Sequence, residues 1–112
     1  MNNIKSFHAH VYYDVSSYEQ ALLLCNEAGK RFDISIGRMH KLPIGPHPKW
    51  SCQLTFQPKV FGEIIPWLAL NRNGLTVFIH ANTGDDLKDH TEHTMWMGQV
   101  KKLHLEMFQS EG

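Results

Sequence analysis

The sequence has only two cysteines in 112 residues, Cys25 and Cys52. That is too few for a disulfide scaffold, and their separation makes no CxxC pair, so two buried thiols in a cytoplasmic protein are expected. Nor does either charge dominate: eleven basic residues balance eleven acidic ones, and the pI is about 7.1. A nucleic-acid partner would need a basic stripe, so none is expected. No apolar run is long enough to span a bilayer, and Met1–Ser6 holds no signal-peptide core, so no membrane partner is expected either. Repeats, linkers and low-complexity tracts are also missing. The length fits one domain, residues 1–112, with a core modest enough that a homodimer partner would help.

What the chain has in quantity is histidine. Eight imidazoles are dispersed along it rather than gathered in a tag-like run. Imidazole binds metals and titrates near neutral pH, so the question is where the fold places these rings.

Ser6–Tyr13 alternates and is rich in aromatic and β-branched residues, which predicts a strand. Phe7, Ala9 and Val11 share one side of it; His8, His10 and Tyr12 share the other. Ser16 and Glu19 have the form of a capping box. The helix beyond carries Tyr18, Ala21, Leu22, Cys25 and Ala28 at helical spacing, with Gly29 as its C′ residue. Ile34 and Ile36 mark a second strand ending near Arg38. Met39–Lys49 is a long connection; a loop of that length is usually functional or disordered, and Pro43, Pro46 and Pro48 argue for a stiff one. Trp50, Cys52, Leu54 and Phe56 predict a third strand, with Ser51, Gln53 and Thr55 opposite. A second helix follows, in which Pro66 predicts a kink or a late start. After the Asn73-Gly74 turn, Thr76–His80 is a fourth strand, Phe78 and His80 facing away from Val77 and Ile79. A polar helical segment to Trp96 is expected next. Leu103, Leu105 and Met107 then suggest a short edge strand or a dimer contact.

The order β-α-β-β-α-β is that of a ferredoxin-like α+β fold. It implies an antiparallel four-stranded sheet, order 4-1-3-2, with two helices on one face and a C-terminal extension. The other face then receives His8, His10 and Tyr12, Ser51, Gln53 and Thr55, and Phe78 and His80. The beginning of strand one lies beside the end of strand four, so His8, His10 and His80 converge on one patch. Imidazole nitrogens suit zinc, copper, iron or nickel, whereas the scarcity of thiolates argues against a structural zinc site. A single histidine on a sheet face is usually just a polar surface residue; the convergence of three is what points to a metal. A carboxylate ligand is not determined, with Asp14, Glu63, Asp85, Asp86 and Asp89 all open. His47, between Pro46 and Pro48, reaches the trio only by folding over the sheet or from a partner chain. His90 and His93 share a helix face, and His40, His93 and His104 are expected at the solvated surface.

Several stretches in fixed order resemble the DOPA 4,5-dioxygenase family. They are Phe7-His8-Ala9-His10-Val11-Tyr12-Tyr13, Gly37-Arg38, Pro43-Ile44-Gly45-Pro46-His47-Pro48, Pro66-Trp67-Leu68, Leu70-Asn71-Arg72-Asn73-Gly74-Leu75, and Asn82-Thr83-Gly84-Asp85 through Asp89-His90-Thr91 to Trp96-Met97-Gly98. One departure is Ala81, where the family commonly has proline. The resemblance implies extradiol cleavage of a catechol such as L-DOPA by O₂ with non-haem iron(II), another divalent metal such as zinc or nickel being open in purified protein. Geometry and family together suggest His8, His10 and His80 for the metal. The family alone suggests His47 and His90 for acid–base or substrate contact, while Tyr12, Gln53, Phe78 and Trp96 are candidates to hold the aromatic ring. Two other readings compete: a ligand-binding ferredoxin-like dimer without catalysis, and a cofactor-free oxygenase or isomerase with a histidine base.

Overall fold

The computed structural model describes residues 3–108. The central strand is β1 (Ser6–Tyr13), whose alternation lets it be buried on both faces. Helix α1 (Tyr18–Arg31) follows, then the two-residue β2 (Ser35–Ile36), β3 (Trp50–Phe56) and helix α2 (Pro58–Asn71). Strand β4 (Val77–Asn82), the short helix α3 (Asp86–Asp89) and strand β5 (Thr94–Met97) complete the regular elements apart from a 3-10 turn at Glu106–Phe108. No described helix is long and apolar enough to cross a membrane.

The sheet order is β2-β3-β1-β4-β5, every neighbouring pair antiparallel. The expected four-strand order is contained in it, but a fifth strand has been added beside β4. Only Asp86–Asp89 of the expected helix forms, because Thr94–Met97 pairs instead with β4, Trp96 opposite Phe78 and Thr94 opposite His80. The alternation at Leu103–Met107 makes no edge strand. Leu103 and Leu105 lie outside any regular element, and Met107 belongs to the 3-10 turn.

Three local expectations also change. The capping box does not form, because the Asp14 carboxylate takes hydrogen bonds from the Ser16 and Ser17 amides and hydroxyls and shapes the turn itself. Helix α1 runs through Gly29 to Arg31, so this glycine does not terminate it; a Cβ there would displace the end of the Ile36 side chain. Helix α2 starts on Pro58 and continues through Pro66 without a late start, which leaves the Gly62 carbonyl without its usual intrahelical donor.

Phe7, Ala9, Val11, Tyr13, Cys52, Leu54, Phe56, Val77 and Ile79 form one core cluster with Ala21, Cys25 and Ala28 of α1 and Val60, Ile64 and Leu68 of α2. Both cysteines are buried, free thiols there. Burying these apolar side chains beneath two helices fixes the register, since a one-residue slip would turn every histidine of β1 into the core.

Candidate metal centre

The register that buries the aliphatics sends His8, His10 and His80 to the opposite face together. His8 lies directly across from His80, and His10 sits two residues along β1, opposite Phe78. One nitrogen from each of the three rings lies within 4.8 Å of the other two. His10 Nε2 and His80 Nε2 are 3.2 Å apart. Two ligands at about 2.1 Å from a common ion have this separation at an angle of roughly 100°, within the range of tetrahedral and octahedral sites. His80 Nδ1–H donates to the Ala81 carbonyl at 3.1 Å, which leaves Nε2 with its lone pair toward the cluster. Such a backbone contact is how metal-bound histidines are commonly oriented. The donor set therefore fits a divalent first-row metal.

Burial disfavours the charged form of all three rings, and ligation needs the neutral one. Burial pushes His80 down to about 4 despite the opposing Ala81 carbonyl. Burial, then the neighbouring His47, His80, His8 and His90 rings, hold His10 well below its ordinary value. His8, the most accessible of the three, is lowered by burial and by His90.

This face is not open. The connection between β2 and β3 folds back over it within the same chain and lays His47 on His10, ring centroids 4.0 Å apart. The Tyr12 hydroxyl meets His47 Nδ1 at 2.8 Å, and burial lowers His47 to about 4. From the other side, His90 lies tilted against His80, ring centroids 4.2 Å apart, and is itself covered by the stacked Phe108 ring at 4.4 Å. The segment after β5 is tied to the proline-rich connection by the His104 amide, which donates to the Pro46 carbonyl at 2.8 Å. Between these covers lies a cavity of about 270 Å³. Six imidazoles line it, those of His8, His10, His40, His47, His80 and His90, together with Ile44, Gly45, Pro46, Ser51, Gln53, Asn82 and Asp86. A larger cavity of about 360 Å³ around Asp14, Lys49 and Lys101 contains none of the trio.

The candidate ring-holding residues separate. Gln53 lines the cavity, whereas Tyr12, Phe78 and Trp96 do not. Phe78 is fully buried, with Trp96 stacked on it at 4.5 Å and His10 at 5.7 Å, so these aromatics form a floor beneath the imidazoles. His40, expected at the surface, lines the cavity because the Tyr13 hydroxyl and the Ser51 carbonyl hold its backbone there. His93 is not free at the surface either. Its Nδ1 donates to the buried Asp89 carboxylate at 2.8 Å, while His90 turns the other way, so the two share no face. His104 is exposed, as expected. Phe108 was not signalled at all, since nothing local distinguishes it from an ordinary terminal apolar residue.

The carboxylates are also sorted. Among the described residues none joins the trio. Asp89 is occupied by the Thr83 amide and hydroxyl, both at 2.7 Å, and by His93. Burial alone would raise it, but these hydrogen bonds outweigh burial and hold it below its ordinary value. Asp85 caps α3 through the Lys88 amide, and Asp14 is engaged by its serines. Glu63 belongs to α2, on the far side of the sheet. Asp86 lines the cavity without belonging to the cluster.

The model of the Dopa 4,5-dioxygenase family matches residues 7–107. The chain belongs to this family. It is 34% identical over 114 residues to an uncharacterised 21.2 kDa protein of Botryotinia fuckeliana, covering 91% of this chain and 62% of that one. It is 26% identical over 113 residues to a DOPA 4,5-dioxygenase of Amanita muscaria, covering 93% of this chain and 50% of that one. The chain thus spans about half to three fifths of the length of these curated relatives. A crystal structure described as that of a candidate dioxygenase from Nostoc punctiforme superposes with a TM-score of 0.90 at 43% identity, over 92% of this chain and 90% of that one. A dioxygenase-family enzyme with a histidine metal site is what family and geometry jointly support.

Proposed function

We propose that the protein is an extradiol ring-cleaving dioxygenase that opens a catechol such as L-DOPA with O₂ and non-haem iron(II). The observation that carries this reading is the trio of clustered imidazoles in a cavity lined by three further imidazoles, those of His40, His47 and His90. Three nitrogen ligands leave coordination positions over for small molecules, which a purely structural ion would not need. The name of the Amanita muscaria relative supports the catechol substrate.

His8, His10 and His80 would hold the metal, which when bound supplies Lewis acidity and redox chemistry toward catechol and O₂. The chain's other contributions are positioning, shielding and proton handling. At about 270 Å³ the cavity is at the small end of ligand sites, which suits one aromatic ring. The proline-rich connection and the segment bearing Phe108 would limit the access of water to a bound ring. In this reading His47 and His90 would take a proton from one catechol hydroxyl and return one to the opening ring. Gln53 can bond a ring substituent. A cytoplasmic homodimer is part of the proposal, supported by balanced charge and by the edge strand β5, with its exposed Met95.

The test is oxygen uptake. Untagged protein loaded with iron(II) should consume O₂ and form a yellow product with L-DOPA or another catechol, and chelation should abolish both. His10→Ala and His80→Ala should lose the metal while retaining the native circular dichroism. Turnover that survives chelation would favour the cofactor-free reading, and no uptake with any catechol would remove the dioxygenase reading.

A further inference from the structure

Three histidines of the cavity stand outside the metal trio, and the ring hydrogen bonds of two of them, His47 and His90, differ in kind. His90 Nδ1 lies 2.7 Å from the backbone carbonyl of Asp86. A carbonyl can only accept, so in the neutral ring Nδ1 carries the hydrogen and Nε2 is left with a lone pair. His47 Nδ1 lies 2.8 Å from the Tyr12 hydroxyl. That hydroxyl is buried and has no other hydrogen-bond partner among the described residues. If His47 donated through Nδ1, the Tyr12 O–H would be left without an acceptor. If Tyr12 donates, both groups are satisfied and the His47 hydrogen moves to Nε2.

We infer that two of the cavity histidines hold opposite tautomers, His47 presenting Nε2–H and His90 a bare Nε2, and that Tyr12 is the positioning residue that sets the first. The hydrogen bonds stand by themselves; their chemical meaning rests on the dioxygenase reading. Under that reading the two rings have different tasks. His90 Nε2 accepts the catechol proton: the O–H bond breaks, an N–H bond forms, and the electron pair stays on the catechol oxygen. His47 begins with its proton already on the outer nitrogen, so it donates to an oxygen that gains negative charge. A single ring fixed in one tautomer could not begin in both states. Tyr12 touches no substrate in this scheme, since it lies behind His47 and outside the cavity lining.

Long-range proton–nitrogen spectra of the metal-free protein test the assignment without turnover. His47 should show the Nε2–H pattern and His90 the Nδ1–H pattern; the reverse in either ring overturns the inference. In Tyr12→Phe, which keeps the ring packing, His47 should lose its single tautomer while His8, His10 and His80 still bind one equivalent of zinc. With iron-loaded enzyme and a catechol, Tyr12→Phe should lower kcat about tenfold or more with KM changed less than about twofold. In a His47→Ala background the same change should cost nothing further. An undiminished loss there would show that Tyr12 does not act through His47 and would overturn its role. Wild-type protein with the expected tautomers but no oxygen uptake would remove the dioxygenase reading and leave the tautomer assignment in place.

Discussion

At the residue scale, the property that matters most is that burial disfavours the charged form of all three clustered imidazoles. Metal binding ordinarily releases protons, because the ligands must be deprotonated. Three exposed histidines with ordinary values near 6.5 would together carry roughly 2.3 protons at pH 6. Here burial lowers His80 to about 4, holds His10 well below its ordinary value and lowers His8 as well. The short His10–His80 contact needs one hydrogen between two nitrogens, but that hydrogen can shift to the far side of the His10 ring without leaving it. Anaerobic calorimetry at pH 6, titrating zinc into metal-free protein in two buffers of different ionisation heat, should therefore give nearly equal enthalpies. A buffer dependence equivalent to two or more protons would mean that the rings titrate like exposed ones and that burial does not prepare the site.

At the element scale, the site depends on two coverings that only tertiary structure supplies. The segment that brings Phe108 onto His90 leaves the sheet at Gly98, which has φ of 88°. A Cβ there would come 3.0 Å from an Arg72 guanidinium nitrogen and 3.1 Å from Thr76 Oγ1. Gly98→Ala should cost about 1–3 kcal/mol by the strained backbone alone, measured by urea unfolding, and should speed amide exchange in residues 99–108. Unchanged exchange there would show that Gly98 does not direct the segment. This dependence also explains what could be read in advance. His8, His10 and His80 were legible because strand alternation and a four-strand topology suffice to align them. Trp96 was misplaced on a helix because a four-residue strand carries little periodic signal, and pairing with β4 decided its conformation. The Tyr12–His47 bond, the cavity position of His40 and the Phe108 cover were not legible, because each depends on how an irregular segment folds back. Asp89 was one of five equivalent acids until its three donors were visible.

At the scale of the whole molecule, a cluster of neutral histidines couples the metal centre to global stability. His10, His47 and His80 are unprotonated when folded, while the unfolded chain presents ordinary imidazoles near 6.5. Between pH 6.5 and about 4 the unfolded state therefore binds more protons, so lowering the pH favours unfolding. The stability these groups contribute is complete above pH 6.5 and lost as the pH falls through about 4. A shift of this size is worth about 3 kcal/mol for an isolated group, and mutual repulsion keeps the cluster from being a simple sum. Against a total stability of about 5–15 kcal/mol, the metal-free protein should lose much of its margin in this window. Metal bound to the folded state alone adds about 2.7 kcal/mol at a hundred times its Kd, and protons compete for the same nitrogens, so that gain should shrink over the same window. Thermal unfolding from pH 7.5 to 4, with and without zinc, should give two curves that fall and converge toward pH 4. In His80→Ala the zinc-dependent gap should vanish at every pH, and the metal-free curve should fall less steeply because one buried imidazole is gone. Two flat, parallel curves in the wild type would show that neither folding nor metal binding is linked to the protonation of this cluster.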